Sequence, residues 1–105
     1  MSGREITCAE LAGKLGEVLL VDVREPWEHA LVALPDALLI PLGELGERAA
    51  DEIPKDAPLV VAYCHHGIRS MNAAAMLTQL GIETVSLAGG IDLWSLQIDQ
   101  TVPRY

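Results

Sequence analysis

Hydrophobic positions along this chain come in short runs, and their spacing alternates between that of strands and that of helices. Val18-Leu19-Leu20-Val21-Asp22-Val23 is apolar on both faces, the pattern of a central parallel strand covered by helices on either side. Ala37-Leu38-Leu39-Ile40, stopped by Pro41, reads as another buried strand, as do Leu59 through Tyr63 and, last, Thr84 through Leu87. Ile6 ends a short first strand. Between these runs the period changes. Thr7-Cys8-Ala9-Glu10 has capping-box spacing, so a helix starts at Thr7 and carries Leu11 and Leu15 inward. Pro26 suits the first position of a short helix through Trp27 and His29. Leu42, Leu45 and Ala49 recur among Glu44, Glu47 and Arg48 as the buried stripe of an amphipathic helix.

Pro54 through Pro58 is turn chemistry before the next strand. From Ser70 onward Met71, Ala74, Ala75, Leu77 and Leu80 face a core, Met71 and Met76 serve as fillers, and Gly81 supplies the helix C-cap. Ala88-Gly89-Gly90 leads from the last strand into a short helix through Leu93 and Trp94. Paired glycines after a strand imply backbone brought close to something, here the loop at Cys64. The alternation predicts an α/β domain on a mainly parallel sheet of about five strands.

At 105 residues there is room for one core, and a half-hydrophobic composition excludes a disordered chain. A net charge of −8 and a pI of 4.6 argue against nucleic acid or an anionic membrane surface as the main partner. Any affinity for anions must therefore be local. The pair Cys8 and Cys64 makes no disulfide framework. No basic-then-apolar signal opens the chain and no apolar run reaches transmembrane length, so a reducing cytoplasm is the expected setting.

Candidate chemistry concentrates in Tyr63-Cys64-His65-His66-Gly67-Ile68-Arg69-Ser70, where a strand feeds a loop and then a helix N-terminus. Unpartnered N–H groups at such a turn form an anion site, and a cysteine at its mouth has its thiolate stabilised by them and by the helix dipole. The N–H groups of His65 through Arg69 would cradle the charge. Arg69 adds a permanent cation able to hold an oxyanion in bidentate fashion. Gly67 lets the loop curl, Ser70 reads as a helix cap with its hydroxyl toward Cys64, and His65 and His66 line the mouth.

Cys8, in the first turn of its helix, reads as a small buried residue, with a resolving thiol for Cys64 as the alternative. Asp22 sits near the carboxyl end of its strand, the end at which open α/β sheets hold their sites. With Arg24 and Glu25 it reads as a polar network bracing the loops. A metal site built from Cys64, His65, His66 and His29 lacks the usual ligand spacings.

Taken in order, these segments resemble a single-domain rhodanese. Asp22-Val23-Arg24-Glu25-Pro26-Trp27-Glu28 resembles the family's motif after its second strand, Ile40-Pro41 a strand end, and Cys64 to Ser70 the active-site loop. Leu87-Ala88-Gly89-Gly90-Ile91, Trp94 and Pro103-Arg104-Tyr105 resemble its closing segment. The likeness covers nearly the whole chain and implies one rhodanese-like domain over residues 1–105, with helices on both faces of the sheet. One departure stands out. Relatives carry Gly-His-Ile-Pro-Gly-Ala where this chain has Ala33-Leu34-Pro35-Asp36-Ala37, without the histidine. The loop also differs from those of two-domain thiosulfate and mercaptopyruvate enzymes, so their donor preference does not carry over.

The resemblance implies double displacement. Cys64 takes the outer sulfur of a donor such as thiosulfate, and cyanide or a thiol then removes it. His65, His66, Gly67, Ile68, Arg69 and Ser70 would bind the reactants, and Asp22 and Arg24 would support them. No cofactor or metal is implied; a protein partner would be thioredoxin-like or a sulfur carrier. There are two rivals. Cysteine-dependent phosphatases also use a strand-loop-helix, but with Cys-x5-Arg, and here four residues separate Cys64 from Arg69. A non-catalytic partner-binding module is disfavoured by the intact Cys64 and Arg69.

Overall fold

Strand β4 (Val60–Tyr63) is buried at every position and lies at the centre of a five-stranded sheet. The computed structural model describes residues 4–105. Its other strands are β1 (Glu5–Ile6), β2 (Leu19–Asp22), β3 (Leu38–Leu39) and β5 (Thr84–Leu87), in the order β1-β5-β4-β2-β3. Every neighbouring pair is parallel, with Val21 beside Ala62, Asp22 beside Tyr63 and Ala62 beside Ser86. The winding reverses between β2 and β4, because β3 continues to one side and β5 to the other. Asp22 and Tyr63 stand at the carboxyl ends of the two strands that meet there, where such sheets place their sites.

The helices are α1 (Cys8–Ala12), α2 (Pro26–Leu31), α3 (Leu45–Glu52), α4 (Ile68–Gln79) and α5 (Gly90–Gln97). Alternation along β4 splits the core between two faces. Val61 and Tyr63 join Cys8, Leu11, Ile91 and Trp94, the side of α1 and α5. Val60, Ala62 and Cys64 join Leu45, Ala49, Ala73 and Leu77, the side of α3 and α4. Both layers expected from the apolar pattern are present.

Local chemistry explains the element ends. Thr7 and Glu10 form the reciprocal cap of α1, with the Glu10 N–H on Thr7 Oγ1 at 3.1 Å and the Thr7 N–H on Glu10 Oε1 at 2.9 Å. Gly81 follows α4 in the left-handed region at φ +86°, where its N–H reaches Thr78 O at 3.0 Å and that of Ile82 reaches Leu77 O at 2.9 Å.

Several expectations need correction. α1 ends at Ala12, so Leu15 falls in a 3-10 turn and is 40% exposed rather than carried inward. Leu42 likewise lies in a 3-10 turn ahead of α3, and the strand expected over residues 37–40 shrinks to Leu38 and Leu39 at the sheet edge. α4 begins at Ile68, two residues early, because Gly67 occupies the N-cap position in a left-handed conformation. That start fixes the phase of the helix. Ser70, Ala73, Ala74 and Leu77 are buried, whereas Met71, Met76 and Leu80 are 37%, 38% and 56% exposed. The methionines border the core and do not fill it.

Candidate functional site

Cys64 leaves β4 on the α4 side, almost wholly covered, with 1% of its surface exposed. Its Sγ accepts the backbone N–H of Gly67 at 3.0 Å and of Ser70 at 3.4 Å, and lies 3.5 Å from Ser70 Oγ. Both N–H donors are placed to hold negative charge on sulfur. The loop carbonyls turn the other way: the Ile91 N–H donates to Cys64 O at 2.9 Å and the Asp92 N–H to His65 O at 3.1 Å. The first turn of α5 therefore takes up the carbonyls of Cys64 and His65, while the N–H groups of Gly67 and Ser70 face the sulfur.

This inversion needs close backbone approach. Gly67, at φ +106°, has no room to spare, since a Cβ there would sit 3.1 Å from Gly89 N. The paired glycines after β5 thus meet the Cys64 loop as expected. Ser70 is not the cap of α4, which is Gly67; it sits one turn in, wholly buried. Its hydroxyl donates to Gly67 O at 3.2 Å and shares a 2.7 Å bond with Ser86 Oγ on β5.

Arg69 does not stand free. Its Nη1 and Nη2 donate to Glu28 Oε1 and Oε2 at 2.7 and 3.0 Å. The same carboxylate takes the Glu25 N–H at 3.0 Å and the Tyr105 hydroxyl at 2.7 Å. Arg69, backed by the other donors, holds the Glu28 carboxyl at about 2, well below its ordinary range. Tyr105 in turn accepts Arg24 Nη1 at 2.8 Å, which joins this cluster to a second one around Asp22. There Arg24 grips Asp22 through Nε at 2.9 Å and Nη2 at 2.7 Å, and Tyr63 Oη and His29 Nδ1 bond Asp22 Oδ2 at 3.1 and 2.8 Å. Burial opposes the Arg24 charge, but the bonds to Asp22 and Tyr105 outweigh it and raise its pKa. Asp22 and Arg24 are thus neighbours of the site through Tyr105 and Glu28. Glu25 contributes a backbone N–H and keeps its side chain exposed, which corrects the expected Asp22-Arg24-Glu25 grouping.

His65 stacks on His66 and on Tyr105, each with ring centroids 3.9 Å apart. Desolvation in that stack lowers the His65 pKa. His66 is exposed, with Nε2 3.8 Å from Asp92 Oδ2, and Asp92 also holds Arg104 at 2.9 Å. Donor atoms of His65, His66 and Asp92 lie within 4.8 Å of one another. The Asp92 carboxylate of this cluster is held by Arg104, with Nε 2.9 Å from Oδ1. His29 belongs to Asp22 instead. Ile68 points outward, 77% exposed. Cys8 is buried with its thiol toward Ala88 O at 3.8 Å, and burial pushes its pKa up. A cleft of about 570 Å³ lined by Ile53, Leu59, Leu80 and Ile82 lies at the amino end of β4, opposite Cys64.

Sequence reasoning passed over Glu28, Ser86 and Tyr105 as site residues. Glu28 had one local signal, its three-residue spacing from Glu25, which reads as a cap. Ser86 and Tyr105 reach the site only through the fold.

A family profile described as Rhodanese-like domain matches residues 7–97. A sulfurtransferase of Allochromatium vinosum is 43% identical over 95 residues, 87% of each chain. The thiosulfate sulfurtransferase PspE of Escherichia coli is 35% identical over 71 residues, 68% of each chain. Other relatives are longer: the chain spans 37% of the chloroplastic rhodanese-like/PpiC domain-containing protein 12 of Arabidopsis thaliana, at 34% identity. The crystal structure of a rhodanese-related protein from Thermoplasma volcanium superposes with a TM-score of 0.83 at 33% identity, over 95% of both chains. With the profile running through every element that builds the cysteine loop, the chain belongs to the rhodanese-like family.

Proposed function

We propose that this protein is a sulfurtransferase that carries a sulfane sulfur as a persulfide on Cys64. The observation that carries the reading is the Cys64 sulfur at the end of a parallel strand, with the N–H groups of Gly67 and Ser70 turned toward it. In the first step the thiolate attacks the outer sulfur of thiosulfate. The donor S–S bond breaks, its electron pair leaves on sulfite, and Cys64 holds the sulfur. In the second step cyanide or an acceptor thiolate attacks that sulfur, and the pair returns to Cys64. The loop N–H groups from His65 to Arg69 hold the negative charge, and the Ser70 hydroxyl, fixed by Ser86, supports the cysteine from behind. His65 and His66 form the rim where a donor or acceptor docks, while Asp22 and Arg24 brace it from beneath.

The acceptor thiol can belong to a protein, thioredoxin-like or a sulfur carrier, because the chemistry at Cys64 is unchanged. Two free cysteines suit a reducing, cytoplasmic setting and one rhodanese-like domain without a disulfide framework. No helix among the described residues is long and apolar enough to cross a membrane.

The test is intact mass after incubation with thiosulfate and, separately, 3-mercaptopyruvate, followed by peptide mapping. Wild type and Cys8→Ser should gain the mass of one sulfur atom and transfer it to cyanide, and Cys64→Ser should do neither. A persulfide mapped to Cys8 with Cys64 unmodified would overturn the assignment.

A further inference from the structure

We propose that Glu28 sets donor specificity: by holding Arg69 as a neutral pair, it disfavours doubly charged sulfur donors relative to singly charged ones. The proposal rests on sulfur transfer at Cys64.

A rhodanese-type loop with an arginine five residues after its cysteine invites the expectation that the arginine receives an anionic substrate. Here both terminal nitrogens of Arg69 are taken by Glu28, at 2.7 and 3.0 Å. Glu28 is itself pinned by the Glu25 N–H and the Tyr105 hydroxyl, with only 4% of its side chain exposed. To reach the guanidinium fork, an incoming dianion must break two charge-assisted bonds and leave a mostly buried carboxylate short of donors. The remaining charges at the mouth are also matched. Arg104 is paired with Asp92, which His66 also faces, and Arg24 is paired with Asp22. His65 resists protonation inside its stack. Around these pairs the chain carries a net charge of −8.

What the site offers an anion is therefore the set of N–H groups aimed at Cys64 Sγ. Those donors serve one sulfur atom bearing one charge. The second charge of thiosulfate finds no unpaired cation among the described residues that form the mouth. A donor with the same sulfur–sulfonyl bond and a single charge avoids that deficit.

Thiosulfate and methanethiosulfonate make the matched pair of probes. In each, Cys64 thiolate attacks the terminal sulfur and the S–S bond breaks. The pair departs on sulfite in one case and on methanesulfinate in the other, and the same persulfide forms. With cyanide as acceptor, kcat/KM for both donors is measured in wild type, Glu28→Gln and Tyr105→Phe. Wild type should favour methanethiosulfonate. Glu28→Gln should move the ratio toward thiosulfate by about fivefold, mainly through KM, the scale of one unit charge about 4 Å away under water-like screening. Tyr105→Phe keeps the charge but leaves Glu28 with one donor fewer, so the pair with Arg69 is costlier to open and the ratio should move away from thiosulfate, by a smaller factor.

A measurement on wild type alone guards against a variant that fails to fold. If the pair is neutral, rising ionic strength should increase kcat/KM for thiosulfate more than for methanethiosulfonate, by screening the net negative charge. Thiosulfate turnover that falls with salt would mean Arg69 acts as a free cation and would overturn the proposal. So would a ratio unchanged in Glu28→Gln while both rates drop together, the result for a residue that only braces the loop. Failure of sulfur transfer itself looks different, since then wild type forms no persulfide with either donor.

Discussion

An alanine at position 90 would place its Cβ 2.5 Å from the Cys64 carbonyl oxygen and against that of His65, on a backbone with φ at +63°. Neither oxygen can retreat, because each already accepts an N–H from the first turn of α5. Gly90→Ala should therefore cost about 3 kcal/mol, combining the strain of a left-handed alanine with a clash against backbone. Urea denaturation measures it; a loss below about 1 kcal/mol would mean that α5 moves aside freely. This contact was legible in the sequence because paired glycines directly after a strand have few uses other than close approach. Glu28 was not legible in the same way. Its partners Arg69 and Tyr105 lie 41 and 77 residues away, and a glutamate in the first turn of a short helix reads as a cap. Arg69 was named, but its pairing depended on a side chain that no local pattern singled out.

At the scale of elements, the strand-loop-helix was readable from an apolar run, a glycine and a helical period, and the strand alternation separated the layer of α1 and α5 from that of α3 and α4. The phase of α4 was harder. Periodicity alone does not say where a helix is capped, and a left-handed Gly67 moved the start forward and turned the methionines toward the margin. The short loop has a chemical consequence. Four residues separate Cys64 from Arg69, and the nearest N–H donor stands 3.0 Å from sulfur. A phosphate must seat phosphorus near that sulfur and present its oxygens to the surrounding donors, and a ring closed this tightly leaves them in collision with backbone. The wild type should transfer sulfur and leave p-nitrophenyl phosphate unhydrolysed. Inserting one glycine between His66 and Gly67 should weaken sulfur transfer, since it displaces the donor on Sγ. Efficient phosphate hydrolysis by the unmodified protein, without sulfur transfer, would place it in the other class of cysteine enzyme.

For the whole molecule, the parallel sheet and its two covering layers were legible because the strands are apolar on both faces and the helices on one. The course of the closing segment over the site was not, since Tyr105 is placed by Arg24, Glu28 and His65 rather than by any pattern of its own. That arrangement ties stability to acid. The Glu28 carboxyl is held at about 2 by Arg69, against an ordinary value of 4.5. A carboxyl lowered on folding stabilises the fold above its unfolded value, and that contribution disappears as pH falls from 4.5 through about 2. Urea midpoints should therefore decline across that window. Glu28→Gln should decline less steeply and be about 2 kcal/mol less stable at neutral pH, below the figure for a fully buried pair because Arg69 is partly exposed. An identical acid slope in both proteins would exclude the ion pair as its source.

The anchoring of the loop carbonyls on α5 has a consequence for how such a site can diversify. The cradle is made of main chain and fastened from behind, so its shape does not depend on the side chains at positions 65, 66 and 68. Mutation can redraw those surfaces for new donors or acceptors while the chemistry at the sulfur is inherited unchanged.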